Sequence, residues 1–357
     1  MKSKQATFRL LALLILLSLL ACTKLKKVKE ENETSIVPAT AKVVIAGSRY
    51  ALQSNNIVNN VSTLWEGSQF TSYPTMSNFT DLEIVGSDRY ACGFKRLSFN
   101  NSNTFTAIYW KNGISVTLPS SSADYSVANA IWLDQGDVYI CGEERNSQGK
   151  LVAVYWKNGV KTTLSNGAVN ALAKAIYVDN QEVYVAGEED NHAVYWKGAQ
   201  RYQLDFGNYK SSLNNLLKQD ASTVLTVGYK DTINSVRLPV RWNNFTRKEL
   251  TALTYSGEAY QVLNKKSDTY IFGYATNPST SLEQACYWKN DSLVYMGNSA
   301  TSSYCYNACF DGEDLYACGE ALHSSGVYSA AYWKNKEATV FLSPGIVGES
   351  QAIAIAK

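Results

Sequence analysis

The sequence predicts an all-β protein, a seven-bladed β-propeller of four-stranded antiparallel blades closed by its C-terminal strand pairing with the N-terminal blade. Three observations predict it. Seven tryptophans, Trp65, Trp110, Trp156, Trp196, Trp242, Trp288 and Trp333, stand 40–46 residues apart, and a fixed period of this length marks a chain built from repeated supersecondary units. A row of glycines, Gly47, Gly93, Gly142, Gly187, Gly228, Gly273 and Gly319, gives the same count. Residues 40–357 show no sustained 3.6-residue apolar period, and each unit divides into four short strands instead.

Residues 128–167 display the unit. A first strand over 128–133 leads through Asp134-Gln135-Gly136-Asp137 to a second strand over 138–142. A polar loop over 143–149 precedes a third strand over 151–157, and Asn158-Gly159 turns the chain into a fourth over 160–164. Asn-Gly suits that hairpin because both residues tolerate positive φ. First strands centre on Ile84, Ile131, Ile176, Leu216, Val262, Ala308 and Ile353. The last of these is the C-terminal tail, 351–356, while 43–47 already reads as a second strand. The tail therefore supplies the missing inner strand of the N-terminal blade and removes an open sheet edge. Alanines crowd the first strands (Ala128, Ala130, Ala173, Ala175, Ala308, Ala352, Ala354), as an axis with room for small side chains requires. The tryptophans fall on third strands, and their even repetition reads as a set of blade-to-blade wedges rather than a platform for stacking sugars.

The phrase Val154-Tyr155-Trp156-Lys157-Asn158-Gly159, followed by Leu164, Ile176 and Val183-Tyr184-Val185-Ala186-Gly187, resembles the bacterial extracellular HAF-type repeat. The likeness spans about residues 82–345. The fifth unit departs most, with Arg241-Trp242-Asn243-Asn244-Phe245 and no Gly after the Trp. The resemblance implies secretion and a propeller, and it implies no reaction.

The N-terminus supplies an address. Lys2, Lys4 and Arg9 precede an apolar run over 10–20, too short for the roughly 20 residues of a membrane span. Its end, Leu19-Leu20-Ala21-Cys22, resembles a bacterial lipoprotein signal. That resemblance implies a signal peptide over 1–21, cleavage before Cys22 and acyl chains on its thiol. Residues 22–39 read as a charged tether and 40–357 as the propeller. The expectation is a lipid-anchored protein of the bacterial cell envelope, at the outer membrane, facing either the periplasm or the surface. Setting aside the seven basic residues of 1–29 and the three acids of 30–33 turns the formal charge of +2 into −2 for residues 34–357. A slightly acidic folded part carries no basic footprint for nucleic acid.

Little in the chain points to metal or nucleophilic chemistry. Its two histidines, His192 and His323, are far apart, and no metal-ligand spacing, P-loop or nucleophile elbow occurs. No cofactor or metal is expected. Cys92, Cys141 and Cys318 share one repeat position and read as small core residues. Cys309 and Cys318, on paired strands of one blade, are the near pair a disulfide would use. Acids at Asp134/Asp137, Asp311/Asp314 and Asp179/Glu182 recur in first hairpins, which favours turn chemistry over calcium.

Function is expected where the repeat breaks. Second-to-third-strand loops vary most, over 48–62, 94–106 and 188–192, and loops on a rigid scaffold concentrate binding residues. Residues following the second-strand glycines are expected to ring the channel mouth on that face: Arg49, Phe94, Lys95, Glu143, Glu144, Glu188, Glu189, Tyr229, Lys230, Tyr274 and Glu320. Their mixed charge and aromaticity suit a glycan or protein ligand, and the expected activity is that of a non-catalytic binding or scaffold module. The alternative is a propeller hydrolase or lyase using carboxylates such as Glu143 and Glu188 as acid and base.

Overall fold

The computed structural model describes residues 43–356 apart from 53–57, 68, 74–76, 97–103, 123, 298, 338–339 and 343–345. The signal, Cys22 and tether assignments lie outside the described residues. Seven four-stranded antiparallel sheets follow one another around a ring. Blade 1 combines residues 43–73 with the C-terminal strand Gly348–Ile355. Blades 2 to 7 occupy 77–117, 126–163, 171–203, 211–249, 257–295 and 303–341. The expected clasp is present: Val43 pairs with Ile355 and Ile45 with Ile353, which makes the last strand the innermost of the first blade.

The repeated phrase has a local cause for each residue. The tryptophans are at most 3% exposed. Each belongs to a core cluster shared with the preceding blade, so Trp242 packs with Tyr184, Ala186 and Tyr195, and Trp65 with Tyr316, Cys318 and Tyr332. Among the described residues there are seven such clusters, one per blade interface. Trp156 and Trp288 also donate their indole N–H to Pro119 and Leu250 in the linker after the preceding blade, at 2.7 and 3.0 Å. The wedge assignment therefore holds.

The lysine after the tryptophan pairs with an acid at the start of the second strand and lies over a tyrosine two residues on. Lys157 sits 2.9 Å from Asp137 and 5.1 Å from the Tyr139 ring centroid. Lys111, Lys197, Lys289 and Lys334 repeat this with Asp88/Tyr90, Glu182/Tyr184, Asp268/Tyr270 and Asp314/Tyr316. The asparagine takes the left-handed conformation of the hairpin, with φ of 50° at Asn158, and its Oδ1 accepts the Val138 N–H at 2.9 Å. The second-strand acids thus hold the lysine and asparagine of the third-to-fourth-strand hairpin, while Asp179 pairs with Lys218 of the next blade at 2.7 Å.

The glycines answer a harder constraint. A Cβ on Gly187 would lie 1.8 Å from the Leu172 carbonyl oxygen, and equivalent atoms on the other six would lie 1.8–2.1 Å from the matching inner-strand carbonyl. At this point the pairing register slips by one residue in all seven blades. Ala173 faces Gly187 and Ala175 faces Ala186, leaving Lys174 as an extra residue. Such a bulge locally bends and twists the bulged strand. The extra residues in blade order are Gln351, Thr80, Asn129, Lys174, Asn214, Tyr260 and Tyr306.

One expectation is corrected, and the open question of the cysteine pair is answered. The 48–62 segment is mostly strand, because the ladder runs from Gly47↔Thr63 to Leu52↔Val58, and in blade 2 the strands likewise extend to Arg96 and from Phe105. Cys309 and Cys318 form no disulfide: the register running from the Asp311↔Asp314 hairpin sets Cys309 opposite Tyr316 and Cys318 opposite Asn307, and both thiols are free.

Two substitutions separate these roles. Gly187→Ala is expected to destabilise the fold by at least about 2 kcal/mol, because the clash is with backbone. Lys157→Met, at an exposed pair, should cost much less, because solvent screens the interaction. Denaturant unfolding of both variants checks the order; equal losses would contradict it.

Candidate functional site

The bulges place one extra residue per blade on the wall of the central channel. A cavity of about 450 Å³ occupies the channel at the end where the second-to-third-strand loops emerge. It is lined by Thr80, Asn129, Lys174, Asn214, Tyr260, Tyr306 and Gln351 from the seven inner strands, together with Glu143, Glu349 and Asp81. The volume falls within the roughly 300–1,000 Å³ of ligand pockets. Deeper in the same channel a space of about 560 Å³ is lined by more apolar residues, among them Ile84, Trp132, Tyr177, Leu263, Phe310 and Ile355. The channel is thus polar at the loop face and of mixed character at the hairpin face, where Glu83, Asn215, Lys218 and Asn264 stand among the apolar side chains.

Several wall residues also tie the blades together, because inner strands of neighbouring blades diverge and form no ladder. Thr80 donates to the Ala128 carbonyl at 2.8 Å, Asn129 to that of Ala173 at 2.8 Å and Asn214 to that of Ala259 at 3.0 Å. One residue on, Asp81 accepts the Ile131 N–H at 2.9 Å and Gln261 that of Ala308 at 2.6 Å. Each bond crosses from one blade to the next.

The residues expected from the sequence divide by strand alternation. Those directly after the glycine turn toward the bulge residues. Glu143 lines the cavity and accepts Asn129 Nδ2 at 2.6 Å. Glu188 accepts Lys174 Nζ at 3.3 Å, Glu320 accepts the Tyr306 hydroxyl at 2.7 Å, and Tyr274 lies 6.1 Å from Tyr260. Tyr229 stacks under Arg237 at 3.7 Å, with Lys174 5.7 Å from its centroid. Phe94 instead meets Phe105 edge-on at 5.0 Å. Residues two after the glycine point the other way, toward outer strands and linkers. Glu144 pairs with Lys161 at 2.7 Å, Glu189 with Arg201, and Lys230 with Asp205 at 2.7 Å. Arg49 covers the Phe70 ring at 4.1 Å, and Lys95 is exposed. The expected single ring at the mouth is therefore two sets, and of the eleven residues Glu143 alone is on the cavity wall.

Sequence reasoning missed the bulge row itself. Its signal is a break in alternation: two residues, not one, separate the core positions in each first strand, as in Ala173-Lys174-Ala175-Ile176 and Ala259-Tyr260-Gln261-Val262.

Burial sets the electrostatics. It pushes Glu143 up to about 7, although Asn129, Lys174 and Tyr125 act against it. Burial likewise lifts Asp81 to about 6 against its two backbone N–H bonds, and lifts Glu83, deeper in the channel, to about 8. Burial raises Glu188 too, but Lys174, Ser212 and Lys210 outweigh it and hold this carboxyl below its ordinary value.

No family model matches the sequence, and no curated protein matches it. Solved structures do. A puromycin-hydrolysing peptidase of Mycobacterium tuberculosis superposes with a TM-score of 0.52 at 10% identity, over 87% of this chain and 54% of that one. An acylaminoacyl peptidase of Pyrococcus horikoshii gives 0.51 at 10%, over 86% and 51%. The β-propeller domain of the Trilobed protease from Pyrococcus furiosus gives 0.51 at 9%, over 85% and 92%. The chain spans about half the length of the two peptidases and nearly all of the isolated propeller domain. At such identities the likeness is one of fold, and the fold is a β-propeller.

The folded value of Glu143 lies above that of an unfolded glutamate, so its contribution to stability is full below the unfolded pKa of about 4.3 and is lost as pH rises to about 7. Glu143→Gln should therefore exceed the parent in stability by on the order of 2–3 kcal/mol above pH 7 and match it near pH 4. Denaturant unfolding at both pH values tests this; a difference independent of pH would refute the assignment.

Proposed function

We propose that the chain is a lipid-anchored lipoprotein of the bacterial cell envelope, at the outer membrane, whose propeller acts as a non-catalytic binding module. Its polar ligand enters the loop-face end of the central channel. The observation that carries this reading is the contrast between two kinds of repeat position. Where a residue builds the blade, the repeats keep it: Trp and Gly in seven blades, the Lys–acid–Tyr group in five. At the bulge the backbone is the same in every blade, yet the residue changes: Gln, Thr, Asn, Lys, Asn, Tyr and Tyr. All seven carry hydrogen-bonding groups, and all seven line one cavity. A purely structural role would favour one residue type at equivalent positions, whereas an asymmetric ligand requires different ones. The anchor rests on residues 1–22 and their likeness to a lipoprotein signal.

Glu143, held near neutrality, is the group on which a hydrolase or lyase reading would rest. It is 4% exposed and already bonded to Asn129, while Glu188 is paired with Lys174 and Lys210, so binding accounts for these carboxylates better than acid–base catalysis.

Full-length protein in detergent, applied to glycan and peptide arrays, should select a ligand. Lys174→Ala, on the cavity wall, should weaken it at least tenfold, and Lys161→Ala, at the outer strand, should leave it unchanged; equal effects would move the site elsewhere. Separately, Cys22→Ser should shift the protein from the membrane to the soluble fraction, and an unchanged membrane fraction would remove the anchor.

A further inference from the structure

The wall of the polar cavity is not uniform around the ring. Blades 2 to 5 contribute Thr80, Asn129, Lys174 and Asn214, whereas blades 6 and 7 contribute Tyr260 and Tyr306, whose rings meet edge-on at 5.1 Å. These two belong to a longer series. Tyr274 lies 6.1 Å from Tyr260 and 4.9 Å from Tyr304, and Tyr304 lies 5.7 Å from Tyr328 on the third strand of blade 7. Five tyrosine rings thus run in contact from the cavity wall to the start of that third strand at the loop face. Two are held by carboxylates: Tyr304 donates to Glu283 and Tyr306 to Glu320, each at 2.7 Å. Tyr260, Tyr304, Tyr306 and Tyr328 are only half-buried.

We infer that this tyrosine run and the polar residues that share the cavity wall receive the end of a neutral oligosaccharide. This rests on the reading of the loop-face channel as the binding site and names its ligand class. A pyranose offers an apolar C–H face together with hydroxyls that both donate and accept. Tyrosine supplies a flat apolar surface with a polar tip. Lys174 supplies a donor across the cavity, Asn129 and Asn214 offer their Oδ1 atoms as acceptors because both Nδ2 protons are already bonded to Glu143, Ala173, Glu258 and Ala259, and Gln351 adds an amide beside blade 7. Charge narrows the class. Asp81, Glu143 and Glu349 line the cavity against the single cation Lys174, itself paired with Glu188, so above pH 7, where Asp81 and Glu143 are ionised, a uronate or sulfated sugar would meet repulsion. The blades surround the cavity, so a chain enters by its end.

Calorimetric titration of the detergent-solubilised full chain tests this. The probes are cellohexaose, mannohexaose, xylohexaose and maltohexaose, with hexagalacturonate and hexalysine as contrasts. At least one neutral hexaose should bind, and hexagalacturonate should bind at least tenfold more weakly. Tyr260→Ala should weaken the neutral sugar at least tenfold and Tyr260→Phe less than about threefold. Should Tyr260→Ala fail to fold, Tyr328→Ala at the outer end of the run should weaken the hexaose. The inference is overturned if no neutral hexaose binds at millimolar concentration, if hexagalacturonate is preferred, or if every folded tyrosine-to-alanine variant binds as the parent does. Binding of hexalysine alone, lost in Glu143→Gln, would overturn the glycan and leave the channel site standing.

Discussion

In each blade the second-strand glycine packs directly against the inner-strand carbonyl opposite it. No side chain fits there, since any Cβ would fall about 2 Å from the oxygen. The approach coincides with a one-residue slip in register, repeated in all seven sheets. The slip bends the inner strand and leaves one residue of each blade out of the ladder. Channel geometry, the ties between blades and the candidate site all follow from this one contact.

The contact separates two jobs that a repeat would otherwise confound. Outward of the glycine, the blade repeats its residues because its neighbours repeat: tryptophan fills the gap to the preceding blade, and the lysine–acid–tyrosine group closes the hairpin face. Inward of it, the unpaired residue answers to no ladder partner and is free to differ. Thr80, Asn129 and Asn214 use that freedom partly to bridge blades, while Tyr260 and Tyr306 present rings to the channel. Glu349 and Gln351 on the wall come from the closing strand, so the site is complete only when the ring is closed.

Much of the scaffold was legible because its signals are periodic. The count of blades, the third-strand tryptophans, the asparagine turns and the C-terminal clasp each follow from spacing and turn chemistry, and the structure places all of them as expected. The site was legible only in part. Glu143 was found from its place after a glycine, but Glu144, Glu189, Lys230 and Arg49 were grouped with it although strand alternation turns them toward the outer strands. Strand alternation alone would have parted those two sets. Whether Cys309 and Cys318 could pair was not legible, since it depends on a register that the hairpin at Asp311 and Asp314 sets and that leaves the two thiols opposite other residues.

By itself the sequence determined the architecture: seven equal units, each with four strands, a wedge and a turn, because local propensity and apolar period act over a few residues and repeat along the chain. Only the tertiary structure decided which residues share the channel. A single extra residue in each inner strand rotates that position out of the ladder and toward the axis, and seven strands distant in sequence meet there. Gln351 at one end of the chain and Thr80 near the other line one cavity because ring closure, not sequence separation, sets their distance.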